Sequence, residues 1–239
     1  MNSLDYYDYQ ARARDLHCVS DVDVIACQTA PIYRRLLRAW LPPSREASIF
    51  EVACGPGIML RFLKSEGYAN LLGSDLSPCQ VTLAKAAGLP VTLSDSLQEL
   101  RRQADGTWDC VIGIDFIEHL SKDEFVGFLT ECHRTLKPGG SLILRSPNGD
   151  SPLVGLHLFN DITHRWAYTT HAMRALLQMA GFDTVVFADE ALSAIQRQRW
   201  LKVPLARLGQ MVLRLAIRSA TREQITYLSP SLFVGAWRK

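Results

Sequence analysis

The stretch Glu51-Val52-Ala53-Cys54-Gly55-Pro56-Gly57 decides the fold, because it closes a short apolar run and opens a helical pattern through glycines. A strand over Ser48 to Ala53 must turn sharply there, and glycine supplies the backbone freedom that a tight strand-to-helix turn needs. Outward from this turn, short β-branched or apolar runs alternate with longer helical patterns from about residue 48 to 189. The predicted strands are Ser48 to Ala53, Asn70 to Leu76, Pro90 to Ser94, Trp108 to Asp115, Ser141 to Ser146 and Thr184 to Asp189, with Leu232 to Trp237 as a last one. Helical patterns lie near 57–67, 78–88, 96–104, 122–135 and 169–180. That alternation is the rhythm of an α/β chain with a parallel sheet and crossover helices. Ser121 predicts a helix start, Gly181 a helix stop, and Lys137-Pro138-Gly139-Gly140 a turn between helix and strand.

Composition bounds the rest. With 239 residues, 48 % of them apolar, the chain can bury a large core, and one domain with an extension is expected. Its 26 basic and 24 acidic residues exclude a chain-wide grip on nucleic acid. No apolar run approaches the roughly 20 residues that span a bilayer, and the polar, tyrosine-rich start is not an export signal, so a cytoplasmic protein is expected. Six cysteines at irregular spacing, with no C-x-x-C pair, argue against zinc and are expected to be reduced.

In such a sheet, ligands bind outside the carboxyl ends of the strands. The glycine loop fails the dinucleotide pattern G-x-G-x-x-G, since Leu60 stands at the third glycine. Glu51 would repel a pyrophosphate and suits a ligand that carries an amino-acid ammonium group. Asp75 ends the second strand, where a carboxylate accepts both hydroxyls of a ribose, and Asp95 with Ser96 ends the third, where they can bond an adenine edge.

These residues resemble the class I S-adenosylmethionine-dependent methyltransferases, over roughly residues 45–189. The resemblance rests on E-V-A-C-G-P-G, G-S-D-L-S, L-S-D-S-L, W-D-C-V-I-G-I-D-F-I-E-H-L and L-K-P-G-G-S-L-I-L. It implies a Rossmann-like seven-stranded sheet, parallel but for an antiparallel last strand, flanked by helices. It implies S-adenosylmethionine as methyl donor and S-adenosylhomocysteine as product. Glu51, Ala53, Gly55 and Gly57 would hold the methionine end, Asp75 with Leu76 the ribose, Asp95 and Ser96 the adenine, and Ile114 with Asp115 the face opposite the loop. Ala53 departs from the family, which has its first glycine there. On this reading the chain divides into an N-terminal lid with helices (1–44), in which Tyr6, Tyr7 and Tyr9 stack on the ligand or cover the core, a cofactor-binding core (45–189), a basic helical insertion (190–230) and a last strand (231–239).

For the methyl acceptor, a hydroxyl or amine needs a base. His164 is the preferred base, with Asp161 orienting its ring, and His119 is the second choice. The triplet Asp115, Glu118, His119 resembles the metal-binding Glu-x-x-Glu-His of ubiquinone-type O-methyltransferases, but aspartate reaches less far and no metal is expected. The D-x-T-H segment resembles methyltransferases of bacterial surface polysaccharide and lipid-linked glycan synthesis. O-methylation of a small-molecule or glycan hydroxyl is therefore expected, with a ubiquinone-type or other small-molecule O-, N- or C-methyltransferase and a catalytically inactive nucleoside-binding protein as alternatives. The I-D-F-I turn lacks the N/D-P-P-aromatic motif of base methylation, so nucleic acid is not expected as a partner. From Gln196 to Arg222 there are seven basic residues and no acidic one, with Leu201, Leu205, Leu208, Val212 and Leu215 at helical spacing. This segment (196–222) suits an anionic membrane, a pocket cover or a dimer contact, in a monomer or homodimer.

Overall fold

The computed structural model describes residues 18–189, 202–222 and 224–239. Tyr6, Tyr7 and Tyr9 and the 190–201 part of the insertion lie outside the described residues. The strands are β1 Ser48–Val52, β2 Asn70–Asp75, β3 Val91–Leu93, β4 Trp108–Ile114, β5 Leu136–Pro147, β6 Phe182–Asp189 and β7 Ser231–Arg238. They form one seven-stranded sheet in the order β3-β2-β1-β4-β5-β7-β6. β7 is antiparallel to both β5 and β6, and the pairings among β1 to β5 are parallel. The expected Rossmann-like sheet with an antiparallel last strand is the one observed.

The helices are α1 Val19–Leu37, α2 Ile58–Ser65, α3 Pro78–Ala86, α4 Ser96–Arg102, α5 Lys122–Thr135, α6 Gly155–Leu158, α7 Thr170–Met179 and α8 Lys202–Thr221. They cover both faces of the sheet. Leu100 of α4, Phe125, Phe128 and Leu129 of α5 and Leu177 of α7 pack with Phe50 and Val111 into one core. Tyr33 and Leu37 of α1 and Met59, Phe62 and Leu63 of α2 pack with Ile49, Ile112 and Ile143 into the other. A strand buried on both faces reads as a continuous apolar run, which is why Ser48-Ile49-Phe50-Glu51-Val52 shows no alternation and why its one carboxylate stands out.

Several boundaries follow the sequence. The Ser121 hydroxyl accepts from the Glu124 N–H at 3.3 Å, and the Glu124 carboxylate accepts from the Ser121 N–H at 2.7 Å, a capping box at the start of α5. Two features differ. Lys137-Pro138-Gly139-Gly140 is not a turn ahead of β5 but a bulge inside it: Leu136 already pairs with Trp108, and pairing resumes at Cys110 with Ser141. The 3₁₀ turn Ile117–His119 and the short α6 carry too few periodic residues to read from the sequence. All six cysteines are free; burial pushes the Cys110 thiol up to about 12 and raises Cys54 and Cys132, so these three are inert at neutral pH. Among the described residues no helix is long and apolar enough to cross a membrane.

Gly57 fixes the entry to α2. Its φ is +83°, and a Cβ there would lie 2.3 Å from a methyl of the buried Leu89. The variant Gly57→Ala is expected to lower stability by about 1–2 kcal/mol, read as a fall in the thermal midpoint; an unchanged midpoint would show that the loop relaxes freely.

Candidate active site

Three residues of the β1–α2 loop have left-handed backbone: Ala53 (φ +48°), Gly55 (φ +52°) and Gly57 (φ +83°). Side chains from the neighbouring strand ends hold this loop. The Gly55 N–H donates to Asp75 Oδ2 at 2.8 Å, and the Ser77 N–H donates to Asp75 Oδ1 at 2.8 Å. The Ala53 N–H donates to the Ser96 hydroxyl at 2.9 Å, and Ser96 also bonds the Ser74 hydroxyl at 2.9 Å. Asp95 caps α4 by accepting from the Gln98 N–H at 2.8 Å. The Ser96 hydroxyl, expected at an adenine edge, is thus engaged in bracing the loop, while Asp95 and Ser96 still line the cavity.

That cavity has a volume of about 970 Å³ and opens at the carboxyl ends of β1 to β5. Glu51, Ala53, Gly55, Asp75, Leu76, Asp95, Ser96, Ile114 and Asp115, each expected in the cofactor site, all line it; Gly57 lies just behind the loop. Glu51 is 3 % exposed, and its Oε2 has no hydrogen-bond partner. Burial raises its pKa well above the ordinary 4.5, and the nearby Asp75 charge adds to the rise. Gln80 Oε1 and Glu118 Oε2 are buried and unpartnered too, and both residues line the same space. Three buried polar oxygens without a partner in one cavity call for a polar ligand.

The acceptor half lies after β4 and β5. Asp115 (φ +53°) donates its N–H to the Arg145 carbonyl at 3.0 Å, and its carboxylate pairs with the Arg145 guanidinium. Asp161 does not orient His164. Its Oδ1 accepts from the Thr163 N–H at 2.8 Å and from the Thr163 hydroxyl at 2.5 Å, and that hydroxyl lies 2.9 Å from His119 Nδ1. Asp161 therefore acts on His119 through Thr163, because the turn it makes with Thr163 points the hydroxyl at the other ring. His164 Nδ1 bonds the carbonyls of His157 and Leu158 at 3.0 and 3.1 Å, so that nitrogen carries the proton, and Nε2 stands 3.9 Å from Glu118 Oε1. The His119 and His164 rings are 4.7 Å apart. Burial first, then His164, lowers the His119 pKa below the ordinary 6.5. Burial, with Asp115 and Asp161 nearby, holds the Glu118 carboxyl well above the carboxylate range.

Among the described residues the groups able to hold a cation are Glu118, His119 and His164, each with one ligand atom within 4.8 Å of the others. The triplet read from the sequence is not this cluster, since Asp115 turns to Arg145. Thr163, Gln80 and Arg145 belong to the site and were not read as site residues, and Glu118 was read only within the metal-like triplet. Glu118 and Thr163 had a signal, each standing inside a quoted motif beside a histidine; Gln80 and Arg145 had none.

Comparison with known proteins agrees with this geometry. A family model described as a methyltransferase domain matches residues 26–186. The chain is 25 % identical over 198 residues to a ubiquinone biosynthesis O-methyltransferase of Cereibacter sphaeroides, covering 76 % of this chain and 78 % of the relative. Among solved structures it superposes on a SAM-dependent methyltransferase of Archaeoglobus fulgidus with a TM-score of 0.68 at 20 % identity, covering 87 % and 94 % of the two chains. It also superposes on Haemonchus contortus phosphoethanolamine N-methyltransferase 2, determined with S-adenosyl-L-methionine, with a TM-score of 0.63 at 14 % identity, covering 100 % of this chain and 60 % of that one. The chain belongs to the methyltransferase domain family and is a class I S-adenosylmethionine-dependent methyltransferase.

The buried Glu51 predicts a trade of stability against binding. A carboxyl whose folded pKa is raised contributes stability that is present below 4.5 and is lost as pH rises through the folded value. Glu51→Gln should therefore melt above the wild type at neutral pH, with a gap that grows from pH 4.5 upward. A gap that is flat with pH would show that Glu51 does not resist ionisation.

Proposed function

We propose that the chain methylates a hydroxyl oxygen of a small molecule, with His119 as general base. The observation that carries this reading is the Asp161, Thr163 and His119 relay standing in the same cavity as Glu51 and Asp75. The name of the Cereibacter sphaeroides relative supports oxygen as the methylated atom. A glycan hydroxyl, expected from the D-x-T-H segment, is one case within this class.

Glu51 would bind the donor's ammonium group, which meets its unpartnered oxygen. Asp75, aligned by the Gly55 and Ser77 N–H groups, would accept from the ribose hydroxyls, and Leu76 and Asp95 would flank the adenine. When bound, S-adenosylmethionine supplies an electrophilic methyl group on a cationic sulfur. The protein's work is then to place an oxygen in line and remove its proton. Thr163 has one hydroxyl proton, which it gives to Asp161, so its oxygen accepts from His119 Nδ1–H. His119 is the ring set to take the acceptor's proton, and the lowered pKa keeps it neutral at neutral pH. Phe116, Leu120 and Ile162 wall the acceptor side with apolar surface.

The test is transfer of a labelled methyl group to a panel of phenols and sugars. His119→Ala should lower kcat by about 10²–10⁴-fold, the usual worth of a general base, with S-adenosylhomocysteine affinity unchanged. The acid limb of kcat/KM should fall below the ordinary histidine value of 6.5. Full activity in His119→Ala would overturn the base assignment. Activity lost on chelation and restored by a divalent cation would reassign the cluster of Glu118, His119 and His164 to a cation, and cofactor binding with no acceptor turned over would leave a nucleoside-binding protein.

A further inference from the structure

We propose that the outer face of α8 docks on an anionic lipid bilayer. The helix is inserted between the end of β6 and the start of β7, both at the carboxyl edge of the sheet, with Asp189 paired opposite Leu232. It has two apolar faces. Ala206, Gln210, Leu213 and Ile217 are half-buried and recur at helical spacing, so they mark the side turned to the protein. Leu205, Leu208, Met211, Val212 and Leu215 are between 51 % and 71 % exposed. At about 3.6 residues per turn, these five fall on the side opposite the half-buried row, so the sequence stripe points away from the molecule. A pocket cover would show the reverse.

Charge selects the occupant. Lys202, Arg207, Arg214, Arg218 and Arg222 make residues 202–222 carry +5, with no acidic residue, in a chain whose net charge is +2; the remainder is therefore −3. Arg207, Arg214 and Arg218 form one row beside the exposed stripe. Arg214 also donates to the carbonyls of Ile225 and Thr226, at 3.3 and 2.9 Å, which ties the helix to the segment leading into β7. A second copy of this helix would bring the same cations against these. A surface that is apolar within and anionic at its rim satisfies both the leucines and the arginines, which is the arrangement of an interfacial helix on acidic lipid. The following segment is fastened to the cavity loop, because the Ser151 hydroxyl donates to the Leu228 carbonyl at 2.7 Å and the Leu228 N–H donates to Asp189 at 3.0 Å. Docking through α8 would therefore orient the carboxyl edge of the sheet relative to the lipid.

The experiment is co-sedimentation of the full chain with vesicles of phosphatidylcholine alone and of phosphatidylcholine mixed equally with phosphatidylglycerol, at low and high salt. The wild type should bind the mixed vesicles only, and more weakly at high salt. The double variant Leu208→Asp/Leu215→Asp should lose at least about tenfold in affinity, as should Arg207→Glu/Arg218→Glu, with thermal midpoints near the wild type's showing that both fold. Wild-type protein that ignores anionic vesicles, or aspartate variants that bind as well as wild type, would overturn the proposal. So would a wild-type dimer, seen by light scattering, that the aspartates dissociate while vesicle binding is absent, since the face would then belong to a second copy.

Discussion

Two side chains lace three strand ends together, and the site is built on that lacing. Asp75, at the end of β2, takes the Gly55 N–H of the β1 loop and the Ser77 N–H of its own. Ser96, just past β3, takes the Ala53 N–H and bonds Ser74. These bonds hold a loop with three left-handed residues in a shape that no short segment would keep alone. They also bring Glu51 to the floor of the cavity with one oxygen unmet. A buried, unpaired carboxylate is destabilising by itself, so the fold carries it because something else satisfies it.

The second half of the site uses the same physics with the opposite result. Around His119 the polar groups engage one another, through Asp161 and Thr163, and the ring is held against the Thr163 hydroxyl. Burial and the neighbouring His164 keep it uncharged. Beside it Glu118 is buried with an oxygen unmet, and burial favours its neutral form. The cavity thus has the unmet carboxyl oxygen of Glu51 at one end and a neutral base at the other. That asymmetry suits a cationic donor at the first and a hydroxyl acceptor at the second.

Much of this was legible in the sequence, for a physical reason. Strands, caps and glycine turns are set by local pattern, so the seven strands and the carboxylates that end them could be placed by number. Ala53 shows the same thing: it occupies a left-handed position, which is why the family has glycine there. What could not be read depends on distant packing. Asp161 and His164 are three residues apart and invite pairing, yet the backbone turns Thr163 between them and His119, which is 42 residues from Asp161 in the chain, and becomes the partner. The stripe of α8 was legible as a stripe, but the side on which it faces is set by how the helix leaves β6.

The most direct measurement is calorimetric titration of the protein with S-adenosylmethionine and S-adenosylhomocysteine, beside NAD, repeated with Glu51→Gln and Asp75→Ala. Micromolar binding of the first two, no binding of NAD, and loss in both variants is the predicted result. Equal binding by wild type and variants, or binding of NAD alone, would contradict the placement of the donor on Glu51 and Asp75.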